Sequence, residues 1–272
     1  EAKKYLQKAI SINPKFAEAY NNLGITFHKL GNLKRACKNF EQAIIFRQNF
    51  VEAYNNLGII NFELGQIKKS EQYYKKALFL HPNYVEVYNN LGNLYKSDDR
   101  LKEAEISYNI AIDLKPNYAE AFCNLGLLMK DLGFLKEAKK NYEHAIYIKP
   151  NYCEAHRQLS LIKKFHFKDQ QFYKMKLLYS DQNTSQNQKC KINFGLAKAY
   201  EDLGDFEKSF KHFNEGNYLR KNELNYNFAK DIDFFSKIKK NHLKILANSF
   251  NFDNDNDSFV PIFILGMPRS GT

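Results

Sequence analysis

Residues 20–43 read YNNLGITFHKLGNLKRACKNFEQA, and the pattern returns at 54–77 (YNNLGIINFELGQIKKSEQYYKKA), 88–111 (YNNLGNLYKSDDRLKEAEISYNIA) and 122–145 (FCNLGLLMKDLGFLKEAKKNYEHA). The step is 34 residues. Leu23, Leu57, Leu91 and Leu125 keep it, as do Gly24, Gly58, Gly92 and Gly126, and Ala43, Ala77, Ala111 and Ala145. Prolines keep it at 14, 82, 116 and 150, with Gln48 in the remaining place. A fixed period of this length belongs to a repeat architecture and decides the fold before any propensity argument.

Each unit predicts two helices. Tyr20, Leu23, Gly24 and Phe27 lie at i, i+3, i+4 and i+7, one stripe of a helix. Gly31–Asn32 breaks that helix, and a second stripe follows through Ala36, Phe40 and Ala43. Small Gly24 lets the neighbouring helix approach closely, and the proline ends the second helix. The pattern, aromatic-x2-Leu-Gly-x2-aromatic, then Ala-x3-aromatic, then Pro, resembles that of the tetratricopeptide repeat (TPR) over 15–150. Asn61 and Met129 depart from it at the second aromatic place, Ser70 at an alanine and Asp99 at a glycine.

Toward the ends the register changes. Ala2, Ala9 and Pro14 align with Ala36, Ala43 and Gln48, so residues 1–14 are expected to be the second helix of a unit. With no initiator Met, the chain is expected to be a fragment, truncated at both ends. After Pro150 a first helix runs through His156 and Leu159, but Ser160 replaces the glycine. Residues 169–180 are expected to be its degenerate partner helix, and Ser180–Gln188 a loop. A divergent unit is expected with helices near 187–203 and 206–221, carrying Gly195, Leu196, Tyr200, Phe213 and Gly216. Residues 227–248 predict one more amphipathic helix, with Ile232, Phe235, Ile238, Leu243 and Leu246 on its apolar side.

Composition bounds the function. Of 272 residues 44% are hydrophobic and 26% charged, which excludes an intrinsically disordered chain. No run is long enough to span a membrane. The formal charge of +11 is spread along the chain: +6 over 1–159, +7 over 160–248 and −2 over 249–272. With 35 Lys, 31 Asn and only 6 Arg, it matches AT-rich coding better than a nucleic-acid arm, so no nucleic-acid partner is expected. Cys37, Cys123, Cys153 and Cys190 have neither disulfide-framework nor zinc spacing, and reduced thiols in a cytoplasmic protein are the expectation. No HExxH is present and no metal is expected. Asp253, Asp255 and Asp257 mimic the start of a calcium loop, but Ser258 and Ile264 stand where it needs Gly and Glu, so a solvated linker is expected. The Lys pairs at 68–69, 75–76 and 139–140 are expected on a solvated outer face, and His156 in or beside the core.

From Ser258 the character changes. Residues 259–265, FVPIFIL, form an apolar run of strand length, followed by Gly266, Met267, Pro268, Arg269, Ser270, Gly271 and Thr272. Gly266 and Gly271 have the G-x4-G spacing of a phosphate loop, whose backbone N–H groups can turn onto phosphate oxygens. A nucleoside triphosphatase would carry Lys at 272; here Thr272 stands there and the cation is Arg269. The string resembles the 5′-phosphosulfate loop of sulfotransferases, in the form found in tyrosylprotein sulfotransferases and bacterial TPR–sulfotransferase fusions. The resemblance implies that Gly266–Thr272 binds 3′-phosphoadenosine 5′-phosphosulfate (PAPS) as co-substrate. It implies that Arg269 is catalytic, stabilising charge as sulfuryl transfers, and that Ser270 and Thr272 donate to phosphate. The acceptor's base and the 3′-phosphate site would lie beyond 272, so these residues alone are expected to be inactive.

Asparagines also keep the period: Asn22, Asn56, Asn90 and Asn124 precede each Leu-Gly, nearly opposite the packing stripe. They are expected to line the concave groove, flanked by Glu18, Glu52, Glu86 and Glu120. The series resembles the asparagine ladder of the protein O-linked N-acetylglucosamine transferase, which implies a protein or peptide partner held by its backbone. Inheritance by duplicated units would give the same series without a function.

The expected architecture is therefore all-α, a TPR superhelical solenoid, followed by the first strand and phosphate loop of a truncated α/β sulfotransferase domain. The expected segments are 1–150 (regular array), 151–221 (degenerate and divergent helices), 222–250 (amphipathic helix), 251–258 (acidic linker) and 259–272 (sulfotransferase start). The expected function of the intact protein is sulfuryl transfer from PAPS to an acceptor, such as a protein side chain, presented by the groove. A non-enzymatic TPR scaffold for protein–protein interaction is the alternative.

Overall fold

The computed structural model describes residues 1–247. The chain divides into two units, 1–223 and 224–272. The first holds a lone helix, α1 (Ala2–Ile12), and then four helical hairpins. These are α2 (Ala17–Lys29) with α3 (Leu33–Phe46), α4 (Val51–Glu63) with α5 (Ile67–Leu80), α6 (Val85–Ser97) with α7 (Leu101–Leu114), and α8 (Ala119–Asp131) with α9 (Leu135–Ile148). There follow α10 (Cys153–Ile162), α11 (Gln170–Ser180), α12 (Gln186–Asp202) and α13 (Phe206–Glu223). Among the described residues the second unit consists of α14 (Phe228–Ala247), on which Ile232, Phe235 and Ile238 are exposed. No strand occurs among the described residues.

The turns follow from backbone chemistry. Gly31, Gly65 and Gly133 adopt φ of 72°, 72° and 84°, a region costly for a residue with a Cβ. Asp99 adopts the same conformation at φ 58°, so the departure noted in the sequence is accommodated by a residue type that tolerates it. Each turn closes by an N–H that reaches back five residues, as from Asn32 to the Phe27 carbonyl at 2.9 Å and from Arg100 to Tyr95 at 2.8 Å.

Inside each hairpin the glycine of the first helix lies under an aromatic ring of the second. A Cβ at Gly58 would stand 2.3 Å from the Tyr74 ring, and one at Gly92 would stand 2.4 Å from Tyr108. Phe40, Tyr74, Tyr108 and Tyr142 are consequently buried, with Ala36, Ala43, Ala77, Ala104, Ala111, Ala138 and Ala145 packed around them. Ser70, standing at an alanine place, donates its hydroxyl to the Gly58 carbonyl at 2.7 Å and so is buried without an unpaired group.

Beyond α9 the regularity fails in a specific way. The helix expected at 169–180 forms as α11, but both it and α10 pack chiefly on α12 rather than on each other. Ser160 replaces the glycine, and the 163–169 connection is anchored to the end of α12. Phe165 is buried, its N–H donates to the Asp202 carboxylate at 3.1 Å, and Lys163 pairs with Asp169 at 2.6 Å. Gly195 accordingly faces Met175 and Ser160, where a Cβ would stand 2.8 and 3.0 Å away. The loop expected over Ser180–Gln188 is shorter than that. Ser185 and Gln188 form a reciprocal capping box that starts α12 at Gln186.

Candidate functional site: the face of the first helices

Side-chain bonds between successive first helices define one continuous surface across α2, α4, α6, α8 and α10. The Nδ2 atoms of Asn56, Asn90 and Asn124 donate to the Oδ1 atoms of Asn21, Asn55 and Asn89 at 2.9, 3.0 and 2.9 Å. Asn21, Asn55 and Asn89 are buried, while Asn56, Asn90 and Asn124 are half-buried and Asn22 is exposed. Three of the expected four, Asn56, Asn90 and Asn124, therefore form one rail of a paired ladder, and exposed Asn22 stands before its first rung. The other rail is the first residue of each Asn-Asn doublet, a signal the sequence carries at 21, 55 and 89.

The ladder ends where Cys123 stands at the doublet's first place. Gln158, one step beyond Asn124, turns its amide instead to the Glu154 carboxylate at 2.7 Å. At the far end of the first helices, His28–Glu63 (2.9 Å), Lys96–Asp131 (2.7 Å) and Lys130–Gln158 (3.0 Å) link neighbours again.

Glutamates run beside the ladder, one per repeat, and Glu154 extends the expected four. Glu18 pairs with Arg47, and Glu120 with Lys149 at 2.8 Å. Glu154 takes Arg157 at 2.7 Å and Lys191 at 3.3 Å. Glu52 and Glu86 are exposed and join no ion pair among the described residues. Tyr84, raised above its ordinary pKa first by burial, is raised further by the charges of both these glutamates. Tyr118, pushed up to about 12 by burial, then responds to Glu120 and Glu86. Phenols and carboxylates thus neighbour one another along this face. At its end a cavity of about 290 Å³ is lined by Arg157, Lys191 and Arg220 with Glu154 and Glu223.

Other expected sites stand as follows. Gly266, Met267, Pro268, Arg269, Ser270, Gly271 and Thr272, the 259–265 run, and Asp253, Asp255 and Asp257 lie outside the described residues. Among the described residues no group of three or more His, Cys, Asp or Glu could hold a metal ion. All four cysteines are free thiols, Cys37 half-buried and the others buried. No helix among the described residues is long and apolar enough to cross a membrane.

Family comparisons agree with this geometry. Models of the tetratricopeptide repeat match residues 5–38, 51–84, 73–106, 119–152 and 191–223, and a further TPR repeat model matches 26–65. The chain is a tetratricopeptide-repeat protein. The TPR array resembles PilF of Pseudomonas aeruginosa at 21% identity and a TM-score of 0.56, over 71% of this chain and 88% of that one. It also resembles a chain of the APC/C hetero-tetramer Cut9-Hcn1 at 17% identity and 0.56, over 76% and 39%. A third likeness is to YrrB, described as a TPR protein with an unusual peptide-binding site, at 19% identity and 0.48, over 77% and 97%. At these identities the likeness concerns the fold. No curated protein sequence matches the chain.

Proposed function

We propose that the TPR array holds an extended, basic polypeptide segment along the first helices α2, α4, α6 and α8. The observation that carries this reading is the rail of Asn56, Asn90 and Asn124, set one repeat apart. Each carboxamide has two N–H donors and an oxygen. One N–H is engaged within the ladder, which fixes the side chain and leaves the second donor and the oxygen for a peptide unit. Unpaired Glu52 and Glu86, beside the rail, favour a segment with Lys or Arg. Fluorescence polarisation of Lys/Gly and Asp/Gly peptides of equal length tests it. The basic peptide is expected to bind, and Glu52→Lys with Glu86→Lys to reverse the preference. Indifference to peptide charge in both proteins would remove the reading.

In the intact protein this array serves a PAPS-dependent sulfotransferase, by which the bound segment or its carrier is sulfated. The support is sequence alone: the apolar run 259–265 followed by Gly266–Thr272 with Arg269 as its cation. Transfer of radiolabelled sulfate from PAPS to protein acceptors by the intact protein is the assay. Arg269→Ala is expected to lower it by about 100-fold or more. Peptide binding without transfer would leave a non-enzymatic scaffold.

A further inference from the structure

We infer that the cavity between α9, α10 and α11 is a second binding site, for a small uncharged ligand of the monosaccharide type. The cavity measures about 390 Å³, within the range of small-ligand pockets. Its lining includes Ile146, Tyr147, His156, Leu159, Gln171 and Lys174. Two of these carry buried atoms without a hydrogen-bond partner, His156 Nδ1 and Gln171 Oε1.

Both atoms are acceptors. His156 occupies the place of Tyr20 in the first repeat, whose hydroxyl donates to the Pro14 carbonyl at 3.3 Å. The imidazole keeps that bond, with Nε2 2.9 Å from the Pro150 carbonyl. A carbonyl only accepts, so Nε2 carries the proton and Nδ1 presents a lone pair that tyrosine would not have. Gln171 gives its amide N–H to the His156 carbonyl at 3.0 Å, and its oxygen is left over. Thus two residues that line one cavity each carry a buried acceptor without a partner. Native interiors seldom leave such groups unpaired.

The ligand must therefore bring N–H or O–H donors, which excludes a bare anion. Burial above all, with the charges of Lys174 and Lys163, holds His156 below its ordinary pKa, so Nδ1 stays an unprotonated acceptor. The charged lining is balanced in sign, Glu143 and Asp169 against Lys163 and Lys174, with Lys163 and Asp169 joined at 2.6 Å and Glu143 3.8 Å from Lys139. A neutral ring with hydroxyls fits all three conditions. Its hydroxyls donate to the two acceptors and to Glu143, and accept from Lys174. Its C–H faces meet Ile146, Leu159 and Tyr147, a ring that is 81% exposed.

Titration of the full chain with glucose, galactose and mannose, followed by NMR of the His156 and Tyr147 rings, tests the site. Sorbitol serves as the acyclic arm. At least one hexose is expected to shift both rings and sorbitol to bind more weakly. His156→Tyr restores the repeat's own residue, and Gln171→Met removes the other acceptor. Each is expected to weaken hexose binding about threefold to tenfold. Without ligand each is expected to melt at a higher temperature than the parent. If no hexose moves the His156 ring, the cavity holds water only and the inference is overturned. Undiminished binding or an unchanged melting temperature in both variants overturns it equally.

Discussion

Asn56 Nδ2 lies 2.9 Å from Asn21 Oδ1 although 35 residues separate them. This bond and its two successors join first helices of adjacent repeats and leave the hairpin interiors untouched. Their energy belongs to the coupling between repeats, the quantity that makes a solenoid cooperative.

The first prediction concerns that coupling. A double-mutant cycle of Asn55→Ala and Asn90→Ala is expected to give a coupling energy of about 0.5–1.5 kcal/mol in urea unfolding. Changing Asn56, Asn90 and Asn124 together to Ala is expected to weaken peptide capture on the order of tenfold, and to lower stability as well. A purely additive cycle would mean that the amides do not couple the repeats.

The second prediction separates two roles of glycine. In Gly58→Ala the new Cβ would overlap the buried Tyr74 ring at 2.3 Å, so a loss of about 1–3 kcal/mol or more is expected. Gly65→Ala meets no atom within 4 Å, but its φ of 72° carries a loss of about 1 kcal/mol. Asp99→Gly, at φ 58°, is expected to gain stability by a fraction of that. Urea midpoints of the three variants rank them, and a neutral Gly58→Ala would contradict the close packing.

These two cases also show what the sequence made legible. Gly58 and Tyr74 each sit in a strict 34-residue register, and period alone pairs them, so the four hairpins were readable residue by residue. The α10–α11 unit was not, because its packing depends on contacts with no local signature. Asp202 reaches the Phe165 N–H 37 residues back, and Met175 fills the space beside Gly195. Asn56, Asn90 and Asn124 stand on α4, α6 and α8, the first helices on which the period places them. The partner rail is not marked by the apolar stripe, a reading that treats Asn21 as surface, whereas hydrogen bonding lets it be buried.

The third prediction concerns the thiols. Burial, helped by Glu41, pushes the Cys37 thiol up to about 11, and burial pushes Cys123 up to about 12. Cys153 and Cys190 are raised for the same first cause. Since the thiolate is the nucleophile, all four should react slowly at neutral pH. Cys37, the half-buried one, should react first and the other three only on unfolding. Rapid labelling of all four thiols in the native protein would show that the first helices separate readily.

The last prediction follows Glu154 on α10. Burial alone would raise its pKa, but hydrogen bonds from Arg157 and Gln158, with the charges of Arg157 and Lys191, hold it below the ordinary value of 4.5. A carboxyl depressed by folding adds stability that is fully present above its unfolded pKa. That stability is lost as pH falls through the lower, folded value. Between neutrality and about pH 5 the protein should therefore show no loss from this group. Below 4.5 stability should decline as Glu154 protonates. Glu154→Gln removes the charge but keeps the shape. Because its partners Arg157 and Lys191 are about one-third exposed, the expected loss at pH 7 is only about 1 kcal/mol. The same substitution should flatten the acid limb, so parent and variant converge as pH falls. Urea unfolding at a series of pH values measures both effects, and parallel curves would show that Glu154 is not held by its cations.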